Sequence, residues 1–161
     1  MKEKEENQNI GKTRILIVDD HPVVRQGVTC LINMESDLVV CAEAENATQA
    51  LEVLEKGTID LAIVDVSLDG TNGIQLTEKI KSNCPGLPVL ILTIHDERDY
   101  AERALEAGAK GYVNKREAAE TIIAAIRLVL SGKQYFKGQK IHLLIPRQLA
   151  NFILTLTNIG G

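Results

Sequence analysis

Five times between Arg14 and Gly132 a short run of branched apolar residues is followed by a stretch with helical spacing. This alternation restricts the chain to very few architectures. The apolar runs lie in "RILIV", "DLVVCAEA", "IDLAIVDV", "LPVLILTI" and "KGYVNK". Their Ile, Leu and Val residues are nearly continuous instead of alternating with polar ones, which requires burial on both faces of a sheet. Strands separated by helices pair in parallel through right-handed crossovers. The helical stretches carry their own punctuation: Pro22 at a permitted first-turn position, Asn46 as an N-cap, and Gly57, Gly108 and Gly132 as stops. The expected fold class is α/β, a doubly wound five-stranded parallel sheet flanked by five helices. Ligands in such sheets bind outside the carboxyl ends of the strands.

Composition removes several classes of function. With 161 residues, 45% hydrophobic and 25% charged, the chain can bury one substantial core. A formal net charge of −4 argues against a large phosphate-binding surface, so this chain by itself is a poor DNA binder. Cys30, Cys41 and Cys84 are odd in number, widely spaced and free of any CxxC pair. They read as core thiols in a reducing compartment, not as a disulfide framework or a zinc site. The N-terminal "MKEKEENQN" lacks an apolar signal region, and no run of about eighteen apolar residues occurs, so a cytoplasmic protein without membrane association is expected.

The strand ends hold the residues with chemistry. "ILIVDDHP" places Asp19 and Asp20 after the first strand, Asp65 follows "LAIV", Thr93 follows "VLIL", and Lys115 stands two residues after "GYV". Taken singly, each has a plain reading: an Asp as cap or loop residue, a Thr bonded to its own backbone, a Lys as solvated charge. Their convergence on one ligand-binding edge weakens those readings jointly. Crowded carboxylates repel and raise one another's pKa unless a cation offsets them. Mg²⁺ (or Mn²⁺) suits such a site, since it takes oxygen ligands and bridges to phosphate oxygens. A carboxylate there can attack a phosphoryl group while the metal, an ammonium and a hydroxyl neutralise its oxygens, which is the chemistry of an aspartyl phosphate.

In order and spacing, "ILIVDDHPVVRQG", "DLAIVDVSLDGTNGIQL", "VLILTIHDE" and "KGYVNK" resemble the receiver domain of bacterial two-component response regulators. The resemblance is to the branch whose members usually end in a LuxR/NarL-type helix-turn-helix, and it covers roughly residues 13–136. It implies a flavodoxin-like receiver fold with Asp65 as phosphoacceptor. It further implies that Asp19, Asp20, Asp65 and the backbone carbonyl of Ser67 hold Mg²⁺. Thr93 becomes the switch hydroxyl, Lys115 the cation that binds the phosphoryl group with it, and Tyr112 the aromatic that moves between exposed and buried positions. Ser67 and His95 fall at positions that modulate dephosphorylation. For His21 the plain reading is preferred: preceding Pro22, it fits the residue just before a helix. Two departures from the family pattern bear on rate and donor preference. Asp69 replaces a common proline and adds a carboxylate near the site, and Ile94 is larger than the usual neighbour of the switch threonine.

The resemblance implies a switch, not an enzyme: phosphorylation from a cognate sensor histidine kinase, self-catalysed in both directions, controlling a transcriptional output domain. The expected division is a disordered tail over 1–12, a receiver over 13–132, and a linker with an amphipathic helix over 133–161. No DNA-binding domain is expected in this chain, so DNA would be reached only through a domain outside it. The tail stripe of Leu149, Phe152, Ile153 and Leu156 either packs as a linker helix on its own receiver or pairs with a second copy to form a homodimer. Two other readings stay open: a free-standing receiver that signals by protein–protein binding, and a phosphohydrolase of the haloacid dehalogenase type. The latter wants a second Asp two residues beyond its nucleophile, where this chain has Ser67.

Overall fold

The computed structural model describes residues 11–137. In chain order the elements are β1 (Thr13–Val18), α1 (Pro22–Asn33), β2 (Leu38–Ala44), α2 (Ala47–Glu55), β3 (Leu61–Val64), β4 (Ser67–Leu68) and β5 (Thr71–Asn72). They continue as α3 (Gly73–Asn83), β6 (Val89–Thr93), α4 (Glu97–Ala107), β7 (Gly111–Asn114), a 3₁₀ turn (Lys115–Glu117), α5 (Ala118–Leu130) and β8 (Tyr135–Phe136). The main sheet is parallel and ordered β2-β1-β3-β6-β7-β8. The chain leaves β1 toward β2 on one side and later returns to β3 on the other. The reversal of strand order therefore falls between β1 and β3, where their carboxyl ends open a crevice.

Alternation along each strand divides the core into two layers. Ile15, Ile17, Leu61, Ile63, Leu90, Leu92 and Val113 pack against α1 and α5. Leu16, Val18, Ala62, Val64, Ile91 and Tyr112 face α2, α3 and α4. Both layers are apolar, which is why the strands read as continuous Ile/Leu/Val runs. Each fully buried Leu or Ile contributes about 1.5–3 kcal/mol relative to exposure.

The helix boundaries follow the local chemistry. The Asn46 side chain accepts from Gln49 N and starts α2. Gly108 ends α4 in the left-handed region at φ 104°, a conformation that side chains with a Cβ avoid.

Two features differ from the five-strand expectation. Tyr135–Phe136 forms a sixth parallel strand on β7, with Tyr112 opposite Phe136, and the buried Phe136 ring joins the layer that holds Tyr112. A small antiparallel pair, β4–β5, follows Asp65. The core-thiol reading is corrected: Cys30 is exposed, and Cys41 and Cys84 are only half-buried. Cys41 sits at a register shift between β1 and β2, where Ile15 pairs with Val40 and Leu16 with Ala42. Among the described residues no helix is long and apolar enough to cross a membrane. The amphipathic stretch from Leu149 to Leu156 lies outside the described residues.

Candidate functional site: an acidic pocket at the strand-order switch

Strand register assembles the pocket. Val18 pairs with Val64, and Asp65 N donates to Val18 O at 3.0 Å, so Asp19 and Asp65 leave adjacent strands side by side. On the other side of β3, Thr93 pairs with Asn114, so Lys115 begins its turn next to the end of β6. Asp19 and Asp65 are each 2% exposed and Thr93 is fully buried. Lys115, whose side chain is 8% exposed, spans the two carboxylates: its Nζ lies 2.7 Å from Asp19 Oδ2 and 2.8 Å from Asp65 Oδ2. Of these contacts only the one to Asp65 has aligned hydrogen-bond geometry. Burial pushes the Lys115 ammonium down in pKa, but its close contacts with the Asp19 and Asp65 carboxylates, and their charges, outweigh it and leave the group raised.

Gly73 fixes how close α3 comes to this pocket. Its N–H donates to Val66 O at 2.7 Å, and a Cβ at that position would sit 1.8 Å from Asp65 O. Only glycine permits this approach, because no side chain can occupy that space.

A second cluster lies beside the first. Ser67 Oγ and His95 Nε2 are 2.8 Å apart, joining the loop after Asp65 to the loop after Thr93. His95 N donates weakly to Thr93 Oγ1 at 3.4 Å, and the Tyr112 hydroxyl donates to His95 O at 2.9 Å. Tyr112 is buried, and burial, followed by the charges of Glu97 and Asp99, pushes its phenol well above the usual range. The His95 ring also packs at a tilt on Tyr100, over which the Arg103 guanidinium lies 5.6 Å from the ring centre. The residues predicted at strand ends thus gather around Asp19, Asp20, Asp65 and Lys115 on one side and Ser67, Thr93, His95 and Tyr112 on the other, and Ser67 N joins the two by donating to Asp65 Oδ1 at 3.3 Å.

One member of the pocket escaped the sequence reading. His21 Nδ1 lies 3.0 Å from both Asp19 Oδ1 and Asp20 Oδ1, and 3.9 Å from Asp65 Oδ2. Its adjacency to "DD" was the available signal, but helix initiation explained it equally well. Arg25 also enters, donating to the Asp19 carbonyl and reaching Glu45 Oε1 at 3.4 Å. Asp69 lines a cleft with Asn46, Gln49 and Thr71 at the start of α2. Ile94 is 56% exposed.

The donors fit a small hard divalent ion. Asp19, Asp20, His21 and Asp65 each offer a ligand atom, all within 4.8 Å of one another. Opposed ligands of Mg²⁺ stand ~4.2 Å apart, so a slight contraction closes the set. Asp19 Oδ2 and Asp20 Oδ1 are buried without an aligned hydrogen bond, a state that a cation relieves.

A parallel sheet with an acidic, lysine-bridged pocket at its strand-order switch defines a doubly wound α/β domain whose ligand site lies at the carboxyl ends of its strands. More narrowly, a model of the response regulator receiver domain matches residues 15–127, and the chain belongs to that family. It is 34% identical to the transcriptional regulatory protein DegU of Brevibacillus brevis, over 91% of this chain and 63% of that protein. A two-component response regulator of the LuxR family from Aurantimonas sp. superposes with a TM-score of 0.76 at 35% identity, covering 81% of this chain and 96% of that one. The isolated receiver domain of RcsB from Salmonella enterica serovar Typhimurium, solved with the phosphomimetic BeF3-, gives 0.72 at 26% identity, covering 78% and 94%. The chain spans about three-fifths of the length of the curated relatives it matches. Its fold and function are those of a receiver of LuxR/NarL-type two-component regulators, in which signalling depends on phosphorylation.

Proposed function

We propose that the chain is a phosphoacceptor switch in which Asp65 receives a phosphoryl group from a sensor histidine kinase and thereby controls a LuxR-type output domain. The observation that supports this most is Lys115 spanning Asp19 and Asp65 at 2.7 and 2.8 Å in a buried pocket. An Asp65 carboxylate oxygen attacks phosphorus, the donor's P–N bond breaks, and the departing imidazole takes a proton. Lys115 exchanges part of its contact with Asp65 for a phosphoryl oxygen, and the Thr93 hydroxyl donates to another. Mg²⁺ or Mn²⁺, held by Asp19, Asp20, Asp65 and the Ser67 carbonyl, would supply charge neutralisation of the remaining oxygens. Ser67 and His95, hydrogen-bonded to each other beside Asp65, control how water reaches the acyl phosphate during self-catalysed dephosphorylation.

The switching element is the β6–α4–β7 region. Thr93 moving toward a phosphoryl group releases His95 N, and Tyr112, tied to His95 O, follows. A preference of a few kcal/mol for one state is enough for a large population shift. The receiver occupies 13–132, with Tyr135–Phe136 extending its sheet as β8, and a homodimer is one assembly open to it. The chain acts in the cytoplasm, does not itself contact DNA, and is no enzyme toward other substrates. With Mg²⁺ and beryllofluoride, the ring resonances of Tyr112 should shift in the parent and stay fixed in Asp65→Asn; an equal shift in both would remove Asp65 from its role.

A further inference from the structure

We propose that His21 Nδ1 is a fourth side-chain ligand of the acidic pocket, biasing it toward divalent ions that accept imidazole, such as Mn²⁺ and Co²⁺, over Mg²⁺. The inference rests on the reading of this pocket as a divalent-cation site and adds the residue that sets its selectivity.

His21 is the N-cap of α1, yet its side chain makes no capping hydrogen bond. Asn46 and Asn72, at the starts of α2 and α3, do cap their helices. The His21 ring instead turns back over the strand end. The His21 backbone N–H donates to Asp19 Oδ1 at 2.8 Å, which helps hold the backbone at φ −95°, ψ 105°. Nδ1 then faces Asp19 Oδ1 and Asp20 Oδ1, each at 3.0 Å, with Asp65 Oδ2 at 3.9 Å. Only the Asp19 contact is an aligned hydrogen bond, and Asp20 Oδ1 is left buried without one. A single Nδ1–H cannot serve three acceptors, whereas an ion among them can take one lone pair from each donor. With the side chain 57% exposed, the ring can adjust to an ion without repacking the core.

Donor chemistry sets the direction of the bias. Three carboxylates suit Mg²⁺ and Mn²⁺ alike, but Mg²⁺ favours all-oxygen shells, while affinity for a mixed nitrogen–oxygen site rises from Mn²⁺ to Co²⁺. His95, the other histidine among the described residues near the pocket, has its Nε2 within hydrogen-bond distance of Ser67 Oγ and is not part of the cluster.

The test is calorimetric binding of Mg²⁺, Mn²⁺ and Co²⁺, each alone, to the full chain and to its His21→Ala and Asp20→Asn variants. His21→Ala should lose about tenfold or more in Co²⁺ affinity while its Mg²⁺ affinity changes less than about twofold. Spin-echo spectra of bound Mn²⁺ should show imidazole nitrogen modulation in the parent and none in His21→Ala. Equal losses for Mg²⁺ and Co²⁺, no loss for either, or modulation that survives the substitution would each overturn the assignment. If the parent binds no ion in a way that Asp20→Asn abolishes, the cation-site reading fails as well, and the two failures are told apart by that control.

Discussion

Lys115→Met removes the one ammonium that bridges the pocket while keeping most of the side chain's length and packing. At 2.7 and 2.8 Å the lysine interacts with Asp19 and Asp65 by about 6 kcal/mol each at an effective dielectric constant of ~20. Against this stands the cost of burying three ions, several kcal/mol apiece. With side-chain exposures of 8% and 2%, solvent screening discounts the pairs little. Breaking such a buried arrangement leaves two facing carboxylates uncompensated, and the net loss should be about 3–5 kcal/mol in chelator-treated protein. Saturating Mg²⁺ should return a large part of it, because an ion that prefers the folded pocket stabilises by mass action and takes over the neutralising role. Urea unfolding followed by far-ultraviolet circular dichroism, with and without Mg²⁺, measures both quantities. A variant as stable as the parent without divalent ions would refute the electrostatic account of Lys115. A loss left unchanged by Mg²⁺ would refute the complementary role of the cation.

Other consequences follow from the same geometry. Gly73→Ala would place a Cβ 1.8 Å from Asp65 O, so it should cost about 1–3 kcal/mol or more by overpacking, and also slow Asp65 phosphorylation, measured as autophosphorylation rate against urea midpoint. Alkaline stability should fall above about pH 10: the raised Lys115 ammonium stabilises fully below its unfolded value and is lost as pH rises through its folded one. The neutral Tyr112 phenol, also raised, is favoured by the fold in that same window. The urea midpoint, flat near neutrality, should therefore drop in strong base, and less steeply in Tyr112→Phe.

Much of this was legible in the chain. The Ile/Leu/Val runs required burial on two faces, and the five strand-helix units required parallel pairing, so the carboxyl edge of the sheet and the residues that line it could be placed without coordinates. The sixth strand was not, because "YF" is too short to show a period, and it pairs only because Phe136 can bury beside Tyr112. Side-chain direction was the other gap. Whether an N-cap residue caps its helix or turns back, as His21 does, depends on backbone angles that residue order does not determine. Gly70, at φ 73° between β4 and β5, similarly lets the hairpin turn and leaves Asp69 lining a cleft with the start of α2. Cys41 read as a core thiol because its strand is apolar, but a register shift sets it only half in the core.

The proposed switch stands or falls with Asp65 as the residue that takes the phosphoryl group. Incubating the chain with Mg²⁺ and acetyl phosphate, trapping the acyl phosphate with borohydride and sequencing its peptides by mass spectrometry tests it most directly. A single reduced residue at position 65 is expected, absent without phosphodonor and absent in Asp65→Asn. Modification at another residue of the parent, or the same yield of phosphorylated Asp65→Asn, would contradict it.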